Sequence, residues 1–322
     1  MWFLLLALLG MSLLYRWYRQ SQKLENLSDK YVFITGCDTG FGNLLARQLD
    51  KRGMHVLASC LTESAAANLK KETSSRLHTI ILDVADSENV RSATKWVSTI
   101  VKDRGLWGLV NNAGIGIPGG INEWLTTDDF LKILKVNLLG VIDVTLNMLP
   151  IIRKAQGRVV NVSSAGGRVT ICGGGYCLSK YGIESFSDSL RREMLPFGVK
   201  VSIIEPGFFK TGLTNTQSQK QNVKRIWEKA PEEVRESYGA EYFRKCYDYV
   251  DMTESVCSNK LSLVTDCMEH ALTAVHPWTR YSAGWDTKFI LIPLSYMPTF
   301  FTDFLLTMGQ PKPAKGFSSS TK

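Results

Sequence analysis

The fold is decided in the stretch YVFITGCDTGFG, which spans residues 31–42. A run of β-forming residues from Tyr31 to Ile34 leads into three glycines, and a helical pattern from Asn43 to Arg52 follows. Glycine lets the backbone approach a ligand closely, and the first turn of the next helix offers free N–H groups to a phosphate. A glycine-rich turn is often only structural, but its place between a strand and a helix predicts a dinucleotide-binding loop.

Alternating strand and helix patterns continue along most of the chain. Further strands are predicted at residues 55–59, 77–84, 109–114, 158–163 and 199–205, and helices at residues 87–102, at residues 126–153 and in the segment that carries Tyr176. Strands that alternate with such helices form a parallel sheet covered on both faces, so we predict an α/β fold of the doubly wound Rossmann type. Ligands bind at the carboxyl ends of strands in these sheets. Five distinctive residues fall at or just after those ends: Gly36, Asp83, Asn111, Ser164 and Pro206.

Tyr176 and Lys180 form a candidate acid/base pair. They stand four residues apart and so share one helical face, with Ser164 in the preceding loop. A tyrosine titrates near 10, so acting at neutral pH takes a pKa lower by about 3 units, or about 4 kcal/mol. One charge at about 4 Å supplies about 4 kcal/mol at an effective dielectric constant near 20. We therefore expect Lys180, helped by a cationic cofactor ring, to lower the Tyr176 pKa.

Composition excludes several classes of function. The 322 residues are 44% hydrophobic, which is ample for a large α/β domain. The net charge of +8 and the pI near 9.0 come from scattered lysines and arginines with no nucleic-acid motif, so no nucleic acid is expected as a partner. The seven cysteines and four histidines show no metal-ligand spacing, and an odd number of cysteines does not suggest a closed disulfide framework. We expect no metal and reduced cysteines.

The N-terminal segment, residues 1–22, differs from the rest of the chain. Residues 2–14 are almost wholly apolar, and aromatic and basic residues follow: Tyr15, Arg16, Trp17, Tyr18 and Arg19. This pattern predicts a membrane anchor, and the positive charge after it places the folded domain on the cytosolic face. A cleaved signal peptide is an alternative, although no small-x-small cleavage site follows. Because the run is short for a span, a segment lying in the membrane interface also stays open.

Several motifs stand together in one order. They are Thr35-Gly36-x-x-x-Gly40-x-Gly42, Asn111-Asn112-Ala113-Gly114, Asn137 in Val-Asn-Leu-Leu-Gly, Ser164, Tyr176-x-x-x-Lys180, and Pro206-Gly207 followed by Thr211. Jointly these motifs resemble those of the classical short-chain dehydrogenases/reductases. The phrases TGCDTGFG, GLWGLVNNAG and FSDSLRRE resemble more closely the membrane-bound retinol and 3α/17β-hydroxysteroid dehydrogenase branch.

The resemblance implies a catalytic role for four residues. Tyr176 would donate or accept the substrate proton, and Lys180 would lower its pKa and hold the nicotinamide ribose hydroxyls. Ser164 would hydrogen-bond the reacting oxygen, and Asn137 would anchor a water that links Lys180 to solvent. Ser163 is an alternative to Ser164 as the catalytic serine, because the intervening loop is one residue shorter than in many relatives.

The resemblance also implies a set of cofactor contacts. Glycines would cradle the pyrophosphate, an Asp–Val pair would meet the adenine, and a threonine would reach the carboxamide. The full set is Gly36, Asp38, Thr39, Gly40, Phe41, Gly42, Asp83, Val84, Asn111, Ala113, Gly114, Tyr176, Lys180, Pro206, Gly207 and Thr211. NAD is expected rather than NADP, because no arginine or lysine clamps a 2′-phosphate in the glycine loop, where Asp38 carries a negative charge. The second strand does lack the terminal acidic residue that many NAD-dependent relatives have.

The C-terminal part of the chain is expected to serve the substrate. The dehydrogenase domain covers residues 29–288, and its aromatic residues at 208–258 predict either core packing or a lid over an apolar pocket. Residues 289–310 are apolar but interrupted by prolines, which argues against an ordinary span and for a membrane or substrate docking segment. Residues 311–322 are expected to be a flexible tail.

The expected activity follows from the resemblance. It implies hydride transfer between a nicotinamide cofactor and a lipophilic alcohol, a retinol or a 3α/17β-hydroxysteroid, mainly in the oxidative direction. An NADPH-dependent retinal or ketosteroid reductase and a non-catalytic lipid-binding protein of the same fold stay open as alternatives. The resemblance further implies the endoplasmic reticulum membrane, contact with membrane lipid, and a homodimer formed through the helices that begin near Thr126 and Tyr176.

Overall fold

Seven parallel strands form the central sheet, in the order β3-β2-β1-β4-β5-β6-β7. The computed structural model describes residues 2–316, without the side chains of residues 2, 4 and 5. The strands are β1 (Tyr31–Ile34), β2 (His55–Cys60), β3 (Leu77–Ile81), β4 (Gly108–Asn111), β5 (Arg158–Val162), β6 (Lys200–Pro206) and β7 (Arg280–Ala283). The strand order reverses between β1 and β4, which lie side by side, and a crevice opens at such a reversal.

Helices connect the strands and extend beyond them. They are α1 (Trp2–Ser21), α2 (Gly40–Lys51), α3 (Glu63–Lys71), α4 (Ser87–Val101), α5 (Thr127–Leu134), α6 (Val141–Lys154), α7 (Gly175–Met194), α8 (Thr216–Lys229), α9 (Glu232–Tyr238), α10 (Ala240–Val256), α11 (Ser262–Thr273), α12 (Ile292–Leu294) and α13 (Thr299–Thr307). A π-helical segment, Lys135–Gly140, joins α5 to α6. A second one, Thr287–Leu291, precedes α12.

The two faces of the sheet bury two separate cores. On β1, Val32 and Ile34 point into one core and Phe33 into the other, because successive side chains of a strand face opposite sides. The first core contains residues of α2 and α11, among them Leu45, Leu49 and Leu272. The second core contains residues of α4, α6 and α7, among them Val97, Met148 and Leu190. Such strands, buried on both faces, have continuous apolar sequences. The parallel sheet with helices on both faces confirms the α/β prediction.

The strand register brings the predicted ligand-binding ends together. Ile34 pairs with Val110, Asn111 with Asn161, and Val162 with Ile204. The loops that follow β1, β4, β5 and β6 therefore leave the sheet at one edge. The residues that carry the sequence motifs lie in these loops.

Some elements differ from the sequence prediction. β3 ends at Ile81 rather than at residue 84, because the chain turns where the Asp83 carboxylate accepts the N–H of Ala85 at 2.9 Å. The predicted helix at residues 126–153 contains the π-helical segment instead of running as one regular helix. β7 and α11 were not predicted.

The N-terminal helix projects away from the domain. Its described apolar side chains are mostly exposed, and it joins the domain through residues 20–24, where the N–H of Leu24 donates to the carbonyl of Thr273 at 2.8 Å. Among the described residues, one helix is apolar and long enough to cross a membrane, Thr127–Lys154, with a mean hydropathy of 1.5. That helix packs against α4 and α7, so we interpret it as a core helix. The membrane anchor in residues 1–22 stays a prediction.

The segments after β6 and β7 cover the carboxyl edge of the sheet. Helices α8 to α10 pack on Trp124 in the loop after β4, and the Trp124 ring lies 4.8 Å from that of Trp227. After β7, Leu291 and Leu294 pack with Ala165 and Val169 near the end of β5. Exposed aromatic side chains crowd this last part of the chain: Phe289, Tyr296, Phe300 and Phe304.

The first half of the predicted tail is mostly exposed but contacts α9. The N–H groups of Ala314 and Lys315 donate to the carbonyls of Tyr238 and Ser237, both at 2.9 Å, and Lys315 forms an ion pair with Glu236. These contacts join residues 314 and 315 to α9, and the flexibility of the tail stays a prediction. The rest of the predicted tail, residues 317–322, lies outside the described residues.

Candidate active site

The glycine loop has room for backbone only. Gly36 and Gly40 adopt left-handed conformations, with φ of 70° and 64°, which favour glycine. A Cβ atom on Gly42 would lie 2.4 Å from the carbonyl oxygen of Gly36, and one on Gly36 would lie 2.7 Å from the Cα of Ala113. Thr39 precedes α2 without a side-chain cap, so the first-turn N–H groups of this helix stay free for an anion. The loop therefore fits the diphosphate of a dinucleotide.

Thr35 and Asn112 fasten this loop to the end of β4. The Asn112 amide donates to the carbonyls of Thr35 at 2.9 Å and Gly36 at 3.0 Å. In return the Thr35 hydroxyl accepts the N–H groups of Asn112 and Ala113, both at 3.0 Å. Asn112 lies in the segment 111–114, which the family resemblance predicts to border the cofactor. Thr35 was not predicted as a site residue, and its place inside the glycine motif is the signal that could have identified it.

Asp38 bridges the glycine loop and the end of β2. Its carboxylate accepts the N–H of Leu61 at 2.9 Å and the N–H of Thr62 at 3.1 Å. The negative charge missing from the end of β2 is thus supplied by a side chain from the neighbouring loop. A phosphate at this position would meet a carboxylate.

The remaining predicted cofactor residues have different surroundings. Asp83 is exposed, while Val84 is buried and its carbonyl lies beside Gly140. The buried Asn111 amide donates to Thr145 and to Asn161, each at 2.8 Å, so its side chain braces the interior of the domain. Sequence motifs could not distinguish this brace from a cofactor contact.

The loop after β6 lies over the glycine loop. Thr211 and Gly40 approach so closely that a Cβ on Gly40 would lie 3.8 Å from the Cβ of Thr211. Phe41 contacts Phe209 edge to face at 5.6 Å. Pro206 ends β6, and a Cβ on Gly207 would collide with the carboxylate of Asp286, which accepts the N–H of Phe208 at 2.7 Å. The predicted contacts after β6 therefore face those after β1.

Ser164 and Tyr176 meet around Gly166. A Cβ on Gly166 would lie 3.5 Å from the Ser164 hydroxyl and 3.7 Å from Cε1 of the Tyr176 ring. Ser164 follows β5, and Tyr176 stands in the first turn of α7. By contrast, the buried hydroxyl of Ser163 donates to the backbone carbonyl of Lys180 at 3.3 Å. This geometry favours Ser164 over Ser163 as the reactive hydroxyl.

Lys180 and Asn137 lie under this pair. The Lys180 side chain is 5% exposed, and its ammonium donates to the carbonyl of Val162 at 2.8 Å and lies 5.7 Å from the centre of the Tyr176 ring. Asn137 is buried in the π-helical segment. Its amide donates to Ile115 at 2.9 Å and to Ser179 at 3.2 Å. Such a segment widens a helix locally and often marks a functional position.

Burial controls the protonation of this group. It raises the pKa of Tyr176 to about 12, and the hydrogen bond with Ser164 opposes that rise. Burial also lowers the pKa of Lys180 to about 8, against the attraction of Glu184. The pKa of Tyr176 is thus raised, whereas we expected Lys180 to lower it, and desolvation of the phenol is the main cause. A positive charge brought near the phenol would favour the phenolate and so lower this pKa.

Comparison with known proteins gives consistent results. A family model described as short chain dehydrogenase matches residues 30–222. The retinol dehydrogenase 7 of Rattus norvegicus is 60% identical over 316 residues, which cover 98% of this chain and 99% of that protein. The 17-beta-hydroxysteroid dehydrogenase type 6 of Homo sapiens is 58% identical over 315 residues, with the same coverage.

Solved structures share the fold at low identity. A short-chain dehydrogenase from Streptomyces avermitilis superimposes with a TM-score of 0.69 at 23% identity, covering 87% of this chain and 96% of that one. A short-chain dehydrogenase/reductase from Burkholderia phymatum in complex with NAD gives 0.68 at 19% identity, covering 90% and 99%. One from Burkholderia cenocepacia in complex with NADP gives 0.64 at 18% identity, covering 86% and 98%.

We predict that Lys180 makes stability depend on pH. Its pKa of about 8 in the fold lies below the ordinary 10.5, so between these values the unfolded chain binds more protons and the free energy of unfolding rises with pH. From pH 8 to 10 the rise is about 2 kcal/mol. Urea unfolding should show it in the wild type and not in Lys180→Met. The exposed Lys70→Met serves as control and should retain it, and an equal slope in Lys180→Met would contradict the assignment.

Proposed function

The chain belongs to the short-chain dehydrogenase family, and from that membership we propose that it oxidises a lipophilic secondary or allylic alcohol with NAD. Tyr176 beside Ser164, with the buried Lys180 one helical turn further on, is the observation that carries the proposal. A bound nicotinamide supplies the acceptor for the hydride of the carbinol carbon. The side chains of the protein therefore have to bind the alcohol and remove the proton of its hydroxyl group.

Four residues divide this work. Ser164 donates a hydrogen bond to the substrate oxygen and fixes its position. Tyr176 takes the hydroxyl proton once positive charge nearby has lowered its pKa. Burial lowers the pKa of Lys180 to about 8, so its ammonium group releases a proton more easily than that of a free lysine. Asn137, held by Ile115 and Ser179, lies on the route by which this proton reaches solvent through water.

The relatives and the lid together support a retinoid or a 3α/17β-hydroxysteroid as substrate. The relatives named above carry retinol or 17-beta-hydroxysteroid in their names. In this chain, residues 208–258 lie after β6, next to the glycine loop, and Trp227, Tyr242 and Phe243 pack there with Trp124. Such a lid encloses an apolar molecule better than a sugar or a hydroxy acid.

Asp38 supports NAD over NADP. The family binds a nicotinamide dinucleotide, and solved structures of the same fold hold NAD or NADP. In this chain the Asp38 carboxylate stands beside the N–H groups that follow β2, where a ribose hydroxyl can donate to it and a 2′-phosphate is repelled. NAD is mostly oxidised in cells, which favours the oxidative direction.

We further propose that residues 1–22 anchor the protein in the endoplasmic reticulum membrane, with the domain facing the cytosol. The exposed apolar side chains of α1 and the basic residues after them support this orientation. Residues 289–310 expose Phe289, Phe300 and Phe304, which suits contact with lipid near the entrance for substrate.

A homodimer is supported by apolar side chains on the outer surface of α5 to α7. Five of them are exposed: Leu131, Leu139, Leu146, Leu178 and Tyr181. The helices α5 and α7 pack side by side, so these residues form one surface that a second copy can bury.

Replacing Tyr176 by Phe should abolish turnover. The substitution removes the proton acceptor while keeping the ring, so kcat should fall by about 10³-fold or more, with NAD affinity nearly unchanged. The assay is NADH formation with a panel of retinol and 3α- and 17β-hydroxysteroids. Tyr181→Phe removes an exposed hydroxyl from the same helix and should leave kcat as in the wild type. An active Tyr176→Phe enzyme would sink the mechanism.

Replacing Asp38 by Arg should move the preference from NAD toward NADP. A repelling carboxylate becomes a cation that can pair with the 2′-phosphate, a change of about 2–3 kcal/mol in relative affinity. Isothermal titration with both cofactors measures it. Asp38→Asn separates loss of repulsion from gain of attraction, and Asp103→Arg, at an exposed distant site, controls for net charge. An unchanged NAD/NADP ratio in Asp38→Arg would refute the role.

Charges placed in α1 should release the protein from membranes. Each arginine at the centre of a span costs about 2.5–3.5 kcal/mol, so Leu6→Arg with Leu9→Arg should make the chain extractable at alkaline pH. The matched control is Leu61→Arg with Leu195→Arg, two exposed leucines of the folded domain. Pelleting is the readout, and a variant of α1 that still pellets fully would contradict the anchor.

A further inference from the structure

Two cysteines flank Tyr176 and approach each other. Cys172 lies at the surface before α7, whereas Cys177 is 2% exposed in its first turn. Their sulfur atoms are 3.6 Å apart. A disulfide bond needs about 2.05 Å, so the sulfurs have to close by about 1.5 Å.

The segment between them can make this movement. It consists of Gly173, Gly174, Gly175 and Tyr176, and Gly174 has a φ of 84° that few other residues adopt. Closure has a structural cost, because the N–H of Gly174 donates to the side chain of Asn122 at 2.7 Å and a Cβ on Gly173 would lie 2.5 Å from the carbonyl of Gly120. Drawing Cys172 toward Cys177 therefore displaces the start of α7.

The buried thiol belongs to the same cluster as the proposed reactive hydroxyls. A Cβ on Gly166 would lie 3.2 Å from the sulfur of Cys177, 3.5 Å from the Ser164 hydroxyl and 3.7 Å from the Tyr176 ring. A displacement of about 1 Å in a catalytic group can reduce turnover about 100-fold. Closing the sulfur pair would therefore shift Tyr176, in the first turn of α7, relative to Ser164 in the loop after β5.

We propose that Cys172 and Cys177 form a redox-sensitive dithiol that a peroxide closes into a disulfide, and that this closure switches off the neighbouring site. The bond itself is independent of the proposed function. Its effect on turnover rests on that function.

The chemistry is balanced with hydrogen peroxide as the oxidant. The surface thiol of Cys172 attacks the peroxide, becomes a sulfenic acid and releases water. The sulfur of Cys177 then attacks the sulfenic sulfur and expels hydroxide, which takes up the remaining thiol proton as a second water. The hydrogen bond with Cys177 and burial raise the pKa of Cys172, so we expect its attack on the peroxide to be slow at neutral pH and faster at higher pH. Two thiols and one peroxide thus give one disulfide and two waters.

The test uses the full-length protein in detergent with NAD and an alcohol substrate. After peroxide treatment, peptide mapping under non-reducing conditions should identify a Cys172–Cys177 bridge. Turnover should fall by about tenfold or more and recover after addition of dithiothreitol. Cys172→Ser should keep its basal turnover and resist peroxide. Cys267→Ser, which removes a half-buried thiol from α11, should remain as sensitive as the wild type.

Two results would overturn the proposal. One is the lack of a Cys172–Cys177 bridge in treated wild-type protein. The other is a Cys172→Ser variant that loses turnover as fast as the wild type. If the untreated protein does not turn over any alcohol, the proposed function fails, and peptide mapping still decides whether the dithiol exists.

Discussion

The close approach of α2 to the ends of β1 and β4 is the steric constraint on which the site depends. A side chain on Gly42 would collide with the Gly36 carbonyl and with the amide of Asn112. Because Gly42 has none, the first turn of α2 lies directly beside both strands and its free N–H groups point into the crevice between them. The same approach lets Thr35 and Asn112 exchange hydrogen bonds across the crevice. One missing side chain thus sets the position of a helix, two loops and an anion site.

The proposed catalytic site contains two side chains, Tyr176 and Lys180, whose burial disfavours their charged forms. Tyr176 holds its proton more tightly than a free phenol, and Lys180 holds its proton less tightly than a free ammonium. Burial thus disfavours the charged form of both groups, although Lys180, with a pKa of about 8, still carries its proton at neutral pH. Such a site costs folding free energy, since Lys180 is held by a single backbone carbonyl in a dry environment. The arrangement is poised for a cofactor that brings positive charge.

Much of this organisation could be predicted from the sequence, because it depends on local patterns. Apolar runs between helical patterns determine the sheet, and motif residues at strand ends determine where Gly36, Ser164 and Tyr176 gather. What could not be predicted depends on contacts distant in sequence. The inward orientation of the Asn111 side chain depends on Thr145 and Asn161. The role of Asp38 depends on the N–H groups after β2. The position of Ala314 depends on its hydrogen bond to the carbonyl of Tyr238. The Tyr176 pKa likewise depends on desolvation, which motif spacing does not contain.

The connection between α1 and the folded domain limits the rotation of the domain relative to α1. Main-chain hydrogen bonds link Gln22 to Val275 and Leu24 to Thr273, both at 2.8 Å. His270 binds the carbonyl of Gln20 at 2.9 Å and also the Tyr281 hydroxyl on β7 at 2.8 Å. Because residues 20–24 are held by several hydrogen bonds, we expect α1 and the domain to rotate together. If α1 binds a surface, the orientation of α1 on it therefore determines the orientation of the sheet. It also determines the direction in which the crevice between β1 and β4 opens.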